Sequence, residues 1–410
     1  MAESITPVAN ISNMVDNVVV LGSGYAGSKA VKVLQKELKG KDAELTWVSD
    51  QDYHLVLHES HRVIRDPDVR ESVTIPVDII ANNETEFVQG RAVEVDTDES
   101  VVELESGDSI EYDYILICVG SRTAFFGIPG LEEHALTLKS LDDALEIHEE
   151  VSAAAEEATE DDPARVVIGG AGLSGIQSAG EVAEYRDEHD APIEIYLVEG
   201  LDNVFPPGSP SLQNKLADML TKRGVKIMTG DFIGEVDDDT AYIGEQDDGG
   251  YKVELDYDVL LWTGGVTGRD IDVDDVETDE RSGRIKTASD FSTKEEGVFA
   301  IGDTALIDQD GDPAPPTAQA AWQAAEVAGE NIARAIEEKP LKEWKYDDKG
   351  TLISIGEKAV AHDIKVPPGV KFPIKTMGGF RGKFLKKFVA ARWIADMSSW
   401  NRAFGAWGDL

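Results

Sequence analysis

Two glycine-rich turns, far apart in the chain, have the spacing that brings a backbone close to a phosphate group. Residues 22–27 read Gly-Ser-Gly-Tyr-Ala-Gly after an apolar run, and residues 170–175 read Gly-Ala-Gly-Leu-Ser-Gly after a second one. In this pattern the first glycine permits a tight turn, the second admits a pyrophosphate, and the third lets a helix pack closely. Two complete copies predict two dinucleotide sites, the first for FAD and the second for NAD.

An acid that closes the second strand of each nucleotide fold would bind the ribose hydroxyls. The predicted strand 193–198 ends at Glu199, 24 residues after Gly175. A carboxylate there accepts hydrogen bonds from both hydroxyls of NAD and repels the 2′-phosphate of NADP, so NADH is expected. In the first fold the predicted second strand is 43–48, and Asp50, preceded by Ser49, is the candidate.

Other predicted strands also end in glycine, where a ligand can approach the backbone. Residues 114–119 precede Gly120, residues 258–262 are followed by Thr263-Gly264, and residues 297–301 precede Gly302-Asp303. Asp303 could bind the ribityl hydroxyls of a flavin or cap a helix. The candidate cofactor-binding residues are Gly22, Gly24, Tyr25, Ala26, Gly27, Asp50, Gly120, Ser121, Gly170, Gly172, Leu173, Ser174, Gly175, Glu199, Gly264, Gly265, Gly302 and Asp303.

The elements around these motifs alternate between strand and helix periodicity, which predicts an α/β protein with two Rossmann-like domains, the NAD domain inserted in the FAD domain. Helices are expected at 27–38, 140–155, 209–223 and 318–336, and short strands at 86–95 and 100–104. The domain assignment is a leader at 1–16, an FAD-binding domain at 17–145 and 285–340, an NAD-binding domain at 146–284, and a C-terminal membrane or dimerisation region at 341–410.

The charge of the chain is strongly acidic, with 80 Asp and Glu against 38 Lys and Arg, a net charge of −42. Such a surface repels nucleic acid, which is therefore not an expected partner. The acids are spread along the chain, which favours adaptation to very high salt, where charges are screened within about 3 Å at 1 M. An ordinary acidic cytosolic protein is the alternative. No signal peptide or membrane-spanning run is visible, so we expect the chain to stay inside the cell.

The cysteine and histidine content limits the chemistry. The single cysteine, Cys118, lies within an apolar run and cannot form an intramolecular disulfide. His54, His58 and His61 are spaced like one face of a helix, but no other cysteine or histidine cluster would complete a site. No metal is expected.

The whole pattern resembles the flavoproteins with two dinucleotide-binding domains and, more narrowly, type II NADH dehydrogenases, which are single-chain NADH:quinone oxidoreductases. The resemblance runs from about residue 16 to the C-terminus. It depends on the two glycine turns, Tyr53-His54, residues 261–265, residues 300–303 and the motif at residues 316–323. The last is similar to the family's Ala-Gln-x-x-x-Gln quinone motif, which implies that Ala318, Gln319 and Gln323 contact flavin or quinone.

Three departures from the family affect its implied roles. Ser49 stands where an acid usually closes the second strand, and Asp50 is one residue late. Gln177 stands where the family often has a glutamate near the flavin and quinone, so that acid's proton role does not carry over, although Gln177 can hydrogen-bond. His58 lies where proline is common. It is a candidate proton donor or, alternatively, a packed or exposed histidine.

Hydride transfer from NADH to a flavin requires two rings held in contact rather than an acid or nucleophile. Quinone reduction also takes two protons, for which the candidates are water, His58, or a network through Gln319 and Gln323. With Gln177, these are the candidate catalytic residues. Disulfide reductases and sulfide:quinone reductases of this fold need at least two cysteines, so a chain with one is neither.

The C-terminal tail differs from the rest of the chain. Residues 361–410 contain nine basic and three acidic residues, a net charge of +6. Five side chains are spaced as one helical face: Trp393, Met397, Trp400, Phe404 and Trp407. A basic, aromatic helix predicts binding to a membrane surface through residues 380–410. The alternative is that this face packs on the body of the protein or on a second subunit.

These observations predict an FAD-dependent, non-proton-pumping enzyme that passes electrons from NADH to a quinone, with menaquinone expected, on the cytoplasmic face of the cell membrane. A homodimer is a further expectation. One alternative is a soluble NADH-dependent flavin reductase that serves a small redox protein such as a ferredoxin. The other is a nucleotide sensor without turnover.

Overall fold

The computed structural model describes residues 15–246, 250–269, 271–365 and 376–410, apart from the Phe380 side chain. The predicted leader therefore lies outside the described residues except for Val15 and Asp16.

The strands are β1 (Asp16–Leu21), β2 (Ala43–Ser49), β3 (Tyr53–Leu55), β4 (Thr74–Pro76), β5 (Thr85–Gln89), β6 (Ala92–Asp96), β7 (Val101–Leu104), β8 (Ser109–Glu111), β9 (Tyr114–Ile117), β10 (Ser121–Thr123), β11 (Ala164–Gly169), β12 (Ile193–Glu199), β13 (Val225–Thr229), β14 (Ile233–Val236), β15 (Thr240–Glu245), β16 (Tyr251–Asp256), β17 (Val259–Trp262), β18 (Val266–Gly268), β19 (Asp272–Val273), β20 (Ile285–Thr287), β21 (Val298–Ala300), β22 (Ala305–Ile307), β23 (Thr351–Ile355), β24 (Lys358–His362) and β25 (Thr376–Gly379). The helices are α1 (Tyr25–Glu37), α2 (Arg70–Val73), α3 (Val77–Ile80), α4 (Leu131–His134), α5 (Leu141–Glu157), α6 (Leu173–His189), α7 (Pro210–Thr221), α8 (Ala318–Ile336), α9 (Phe380–Met397) and α10 (Trp400–Gly405). Short 3₁₀ segments occupy Leu57–Ile64, Pro67–Val69, Gly302–Thr304 and Ala406–Gly408.

The chain divides into two compact units. The first comprises Met1–Asp52, Ile80–Gly120 and Arg269–Tyr346, and the second comprises Tyr53–Ile79, Ser121–Gly268 and Asp347–Leu410. This division differs from the domain assignment made from the sequence, because residues 53–79 and 121–145 fall in the second unit and the C-terminal region joins it. The 3₁₀ segment Leu57–Ile64 packs against α5 and α6. Local sequence patterns do not record such a long-range contact.

The first unit is built on a five-stranded parallel sheet with strand order β21-β9-β1-β2-β5. The strands are apolar because both faces are covered: Val18, Val20 and Leu21 are fully buried. Helices α1 and α8 pack against each other, and a Cβ atom at Gly329 would lie 2.7 Å from Val33 Cγ1. The missing side chain at Gly329 lets the two helices approach closely.

The second unit contains a four-stranded parallel sheet with strand order β13-β12-β11-β17. It also contains two antiparallel sheets, β14-β15-β16 and β23-β24-β25. Helix α6 packs on β23, where a Cβ atom at Gly180 would lie 2.4 Å from the backbone nitrogen of Gly356. This close packing places the buried face of α6 against the C-terminal sheet.

Most predicted elements are confirmed, with bounds shifted by local chemistry. Helix α8 begins at Ala318 and ends at Ile336 as predicted, because the Thr317 hydroxyl caps it by accepting from the Ala320 N–H at 3.2 Å. Helix α1 begins at Tyr25, two residues before the expected start, because it starts directly after the second glycine of the turn. The strand predicted at 86–95 is two strands, β5 and β6, which flank Gly90.

Candidate functional site

The first glycine turn links β1 to α1 in the first unit, and its geometry excludes side chains at its first and third glycines. Gly22 has φ +105°, and a Cβ atom there would lie 2.5 Å from the Cys118 carbonyl oxygen. A Cβ atom at Gly27 would lie 1.9 Å from the Gly22 oxygen, whereas one at Gly24 would meet nothing within 4 Å. Space for a ligand therefore opens at the second glycine, as the pyrophosphate pattern requires.

The same turn lies where the strand order of the first sheet reverses, between β1 and β9. In open α/β sheets, ligands bind outside the carboxyl ends of the strands at this point. Gly120, which follows β9, has φ +80° and no atom within 4 Å of a Cβ position. Gly22 and Gly120 thus lie at the two strand ends where a ligand is expected. Ser121, the other predicted contact after β9, belongs to β10 of the second unit.

The acid predicted for the first ribose is displaced from the glycine turn. The Ser49 hydroxyl donates to the hydroxyl of Ser23, inside the turn, at 2.8 Å. The Asp50 carboxylate instead forms a half-exposed ion pair with Arg269, at 3.3 Å. The side chain that faces the glycine turn from the end of β2 is therefore the serine.

Asp303 lies in the 3₁₀ segment that follows β21. A Cβ atom at Gly302, with φ +77°, would lie 3.1 Å from Ala26 Cβ of the first glycine turn. Arg284 donates to the Asp303 carbonyl oxygen at 2.8 Å and to the Ala305 carbonyl oxygen at 2.6 Å, which fixes this loop. Thr317 caps α8. The loop of Gly302 and Asp303 therefore lies beside the start of α1.

Helix α8 carries the two glutamines of the predicted quinone motif. Gln319 and Gln323 are half-buried, one turn apart. The Tyr346 hydroxyl donates to Gln319 Oε1 at 3.1 Å. The ring of Trp322, between the two glutamines, lies 6.4 Å from that of Tyr25, the first residue of α1. The tyrosine contact on Gln319 was not foreseen from the sequence.

The second glycine turn repeats the geometry of the first in the second unit. Gly170 has φ +92°, and a Cβ atom at Gly175 would lie 1.9 Å from the Gly170 oxygen. A Cβ atom at Gly172 would meet nothing within 4 Å. The strand order reverses between β11 and β17, and Gly264, after β17, lies 3.0 Å from a Cβ position at Gly170. Gly264 thus lies against the turn at the end of β17, and Gly265 has the positive φ, +82°, that Gly120 has after β9.

Glu199 ends β12 next to this turn. One carboxylate oxygen accepts from the Ala171 N–H at 2.9 Å, and the other accepts from the Leu201 N–H at 2.9 Å. Each oxygen keeps a second lone pair, so the carboxylate is oriented by the backbone and can still accept from ribose hydroxyls. The structure thus joins Glu199 to the second glycine turn, as the motif predicts.

Gln177 lies on α6 within a buried polar cluster of the second unit. With its amide oxygen facing the donors, Gln177 accepts from Lys386 Nζ at 2.9 Å and from Ser354 Oγ at 3.0 Å, and it donates to the Leu173 carbonyl oxygen at 3.3 Å. His61 Nε2 lies 2.9 Å from Ser354 Oγ and 3.4 Å from Lys386 Nζ. Gln177 therefore shares a network with His61, whereas Gln319 and Gln323 belong to the other unit.

The cluster is ionic as well as polar, and sequence reasoning missed most of it. Arg62 Nε donates to Glu59 Oε2 at 2.6 Å, and Lys386 lies 3.1 Å from Glu59 Oε1. Although burial favours the neutral acid, these two cations hold the pKa of Glu59 well below its usual range. Burial lowers the pKa of Lys386 to about 8 and that of His61 well below its usual value. The three-residue spacing of Glu59 and Arg62 was the available signal.

The histidines of the 53–61 stretch do not share one ligand. His54 Nε2 accepts from the Trp393 indole N–H at 2.8 Å, and His61 contacts Ser354 and Lys386. His58 Nε2 lies 3.6 Å from Glu59 Oε1, and burial lowers the pKa of His58 to about 4, which leaves it neutral at pH 7. Across the described ranges, no group of three or more His, Cys, Asp or Glu side chains is arranged to hold a metal ion.

The prediction that the aromatic residues of the tail share one helical face is wrong. Helix α9 ends at Met397, and Ser399 caps a separate helix, α10, so the five side chains do not lie on one continuous helix. Trp393 and Met397 are buried. The exposed aromatic side chains form instead what we call the C-terminal aromatic patch, with exposed fractions of 53% for Phe384, 43% for Phe388, 51% for Trp400 and 66% for Phe404.

The patch lies on α9, which has 18 residues, and on α10, which has six, and both helices carry charged side chains. In the described part of the chain, no helix has both the length and the apolarity needed to cross a bilayer. Residues 366–375, which include two of the basic residues of the tail, lie outside the described residues. Helices α9 and α10 each carry two exposed aromatic rings one turn apart. Such rings are suited to binding at a membrane interface rather than to crossing the membrane.

The chain is similar in sequence and in fold to several known proteins. The chain is 26% identical over 403 residues to a type II NADH:quinone oxidoreductase of Staphylococcus saprophyticus, covering 94% of this chain and 97% of that protein. A protein of the same name from Staphylococcus aureus is 28% identical with the same coverage. The fold matches the structure of NDH2 from Plasmodium falciparum in complex with NADH, with a TM-score of 0.81, 17% identity and 97% coverage of both chains.

The sulfide:quinone oxidoreductase of Aquifex aeolicus has a similar fold, with a TM-score of 0.77, 19% identity, and coverage of 94% of this chain and 92% of that one. The family model of pyridine nucleotide-disulphide oxidoreductases matches residues 16–325. That range contains both glycine turns, both sheet reversals and the loop that carries Asp303. On this ground the chain belongs to the pyridine nucleotide-disulphide oxidoreductase family.

Proposed function

We propose that this protein is an FAD-dependent NADH:quinone oxidoreductase. One observation carries the proposal: two glycine turns of the same geometry lie at the reversal points of two separate parallel sheets, each with room for a ligand at its second glycine. A protein that binds two dinucleotides can pass a hydride from one to the other. The staphylococcal relatives, which cover nearly the whole chain, carry the name of that activity.

FAD belongs in the first unit. The N–H groups at the start of α1 have no side-chain cap, so they are available to a pyrophosphate. Ser23 and Ser49 would contact the adenosine ribose, and Asp303 would accept from the ribityl hydroxyls. A bound flavin would supply the redox chemistry between NADH and the acceptor. The protein itself would bind the flavin, orient its ring system and exclude water from it.

NADH belongs in the second unit. The N-cap residue of helix α6 is Gly172, which offers no side-chain cap, and the N–H groups of the first turn would bind the pyrophosphate. Glu199 would accept from the ribose hydroxyls and would repel a 2′-phosphate. The acid thus makes NADH the preferred donor over NADPH.

The acceptor is a quinone, for which menaquinone is our proposal. The half-buried amides of Gln319 and Gln323 can donate to quinone carbonyl oxygens, and the Tyr346 hydroxyl orients the first of them. With one cysteine in the whole sequence, the chain cannot form the cysteine pair that disulfide reduction or sulfide oxidation needs. A quinone accepts electrons without such a pair.

The C-terminal aromatic patch would hold the protein on the cytoplasmic face of the membrane, where quinones are dissolved. Four exposed aromatic rings, accompanied by exposed Arg381 and Arg392, have the composition of an interfacial site. A homodimer that covers the same patch is the competing use of this surface.

The test is NADH oxidation by the purified protein in molar salt, with a menaquinone analogue, a ferredoxin or no acceptor in parallel reactions. We expect a yellow protein, bleached by NADH, whose turnover depends on the quinone. A rate that appears only with ferredoxin would favour the soluble reductase. A colourless protein without turnover would favour a nucleotide sensor, and both results would refute the proposal.

A further inference from the structure

The side chain of Phe232 is an exposed aromatic ring at the end of strand β12. Phe232 lies in the connection between β13 and β14, and 64% of it is exposed to solvent. A Cβ atom at Gly200 would overlap Cδ1 and Cε1 of the ring, so the ring lies against the backbone of Gly200. Gly200 directly follows Glu199, the acid proposed for the ribose hydroxyls. Only glycine at position 200 leaves room for the ring beside that acid.

Backbone hydrogen bonds within the second unit hold the ring in this position. The Gly230 N–H donates to the carbonyl oxygens of both Glu199 and Leu201, each at 3.0 Å. These two bonds tie the connection between β13 and β14 to the end of β12. The Gly244 N–H donates to the Phe232 carbonyl oxygen at 2.9 Å, which fixes the same connection to β15. The backbone that carries the ring is therefore anchored on both sides.

Packing of the core does not explain why a phenylalanine lies here. The next residue, Ile233, is buried in the same apolar cluster as Trp262, and its Cδ1 atom lies 3.2 Å from a Cβ position at Gly169. Successive side chains of an extended chain point to opposite faces. Ile233 therefore packs into the interior, and Phe232 presents its ring to solvent.

A base bound beside Glu199 would meet an apolar surface. The adenine of NAD is bonded to the ribose whose hydroxyls Glu199 would accept from, so the base must lie close to the residues that follow β12. Phe232 and Leu201 are the exposed apolar side chains there, with exposed fractions of 64% and 51%. A flat aromatic ring is the surface on which a base stacks best.

We propose that the adenine base of NADH stacks on the ring of Phe232. This inference rests on the proposed function. The second glycine turn binds the pyrophosphate, Glu199 binds the ribose, and Phe232 binds the base, so each part of the adenosine diphosphate group has its own contact. Stacking depends on apolar contact, which does not fade with salt, whereas attraction between charges is screened in molar salt.

Titration calorimetry of the purified protein with ADP-ribose, which lacks the nicotinamide, tests the assignment. We expect Phe232→Ala to raise the Kd for ADP-ribose at least about fivefold, the low end for a lost base–aromatic contact. Phe232→Tyr keeps the ring and should bind as the wild type does. The difference between the alanine variant and the wild type should persist in 2 M KCl.

Phe404→Ala is the matched control, because it removes a ring of nearly equal exposure, 66%, from α10. This variant should bind ADP-ribose as tightly as the wild type. An unchanged Kd in Phe232→Ala would overturn the proposal. An equal rise in Phe404→Ala, or a loss in Phe232→Tyr as large as that in Phe232→Ala, would overturn it as well.

Kinetics with two donors test whether the ring acts on the base. Reduced nicotinamide mononucleotide lacks the adenosine half of NADH, so Phe232→Ala should raise the KM for NADH but not the KM for the mononucleotide. The kcat with NADH should stay unchanged, because the contact is the same in the ground state and the transition state. Increases of equal size for both donors would contradict a contact with adenine.

The two proposals fail in different ways. A wild-type protein that binds ADP-ribose but reduces no quinone would refute the proposed function, and the titrations alone would then decide the role of Phe232. A wild-type protein that does not bind ADP-ribose would refute both.

Discussion

At the residue scale, the buried ion pairs around Glu59 make the second unit sensitive to the loss of any one partner. Glu59 is the counter-ion of both Arg62 and Lys386, and all three side chains are buried. Removing one partner of a buried pair leaves an uncompensated charge, which is more costly than the pair itself is favourable. The three residues should therefore behave as one unit in mutational studies.

We expect Glu59→Gln to lower the free energy of unfolding by about 3–5 kcal/mol. The pKa of Glu59 is lowered on folding, so its contribution is fully present above the unfolded value near 4.5, is partly lost at pH 3 and disappears only as the pH falls through the lower folded value. The measurement is urea denaturation at pH 7 and pH 3, with exposed Glu71→Gln as the control. Equal losses at both pH values would contradict the ion-pair explanation.

Glu199 sets the choice of nicotinamide cofactor at the same scale. We expect Glu199→Gln to raise the KM for NADH and to bring the kcat/KM values of NADH and NADPH closer, since a neutral amide no longer repels a phosphate. Steady-state kinetics with both donors check this. The control is Glu194→Gln on the same strand, whose carboxylate is paired with Lys226 at 2.7 Å. A NADPH rate that stays unmeasurable would argue against this role of Glu199.

At the element scale, the paired helices α9 and α10 present the C-terminal aromatic patch. Burying a large apolar side chain contributes about 1.5–3 kcal/mol, and this term does not fade with salt. Electrostatic attraction of the basic residues, in contrast, is largely screened in molar salt. The aromatic rings should therefore hold the protein on a membrane at high salt.

We expect Phe388→Ser combined with Phe404→Ser to reduce binding to anionic phospholipid vesicles by at least tenfold in 2 M KCl, the direction set by the apolar area lost. Vesicle sedimentation measures the bound fraction. Arg381→Gln with Arg392→Gln is the matched pair and should change binding little at this salt. Release of the wild type by a salt wash would contradict the aromatic anchor.

The elements show what the sequence could and could not predict. The glycine turns, their strands and helix α8 follow from local rules, because steric demands and caps act within a few residues. The tail prediction failed because Trp393 has a long-range partner in His54, and Ser399 starts a new helix. The buried cluster around Gln177 joins residues over 300 positions apart in sequence, such as His61 and Lys386. No spacing rule reaches that far.

At the scale of the whole molecule, a net charge of −42 destabilises the compact state through self-repulsion. Self-repulsion of the compact state decreases as the screening length falls from about 10 Å at 0.1 M to about 3 Å at 1 M salt. We expect the Tm to rise steadily between 0.1 M and 2 M KCl, as measured by circular dichroism. Sorbitol at equal osmolality is the control. A Tm that rises equally in sorbitol would remove the electrostatic explanation.

The buried Cys118 thiol, next to the first glycine turn, makes local opening of the protein measurable as a rate of chemical labelling. The thiol is buried, a Cβ atom at Gly27 would lie 3.2 Å from its sulfur, and burial raises its pKa. A thiol-reactive reagent added to the native protein can therefore react only while the structure around Cys118 is transiently open. Since the chain has one cysteine, the labelling rate reports the opening of the proposed flavin-binding sheet without background. If a bound cofactor slows the labelling of Cys118, the ratio of the two rates measures how much the cofactor suppresses opening of the glycine turn.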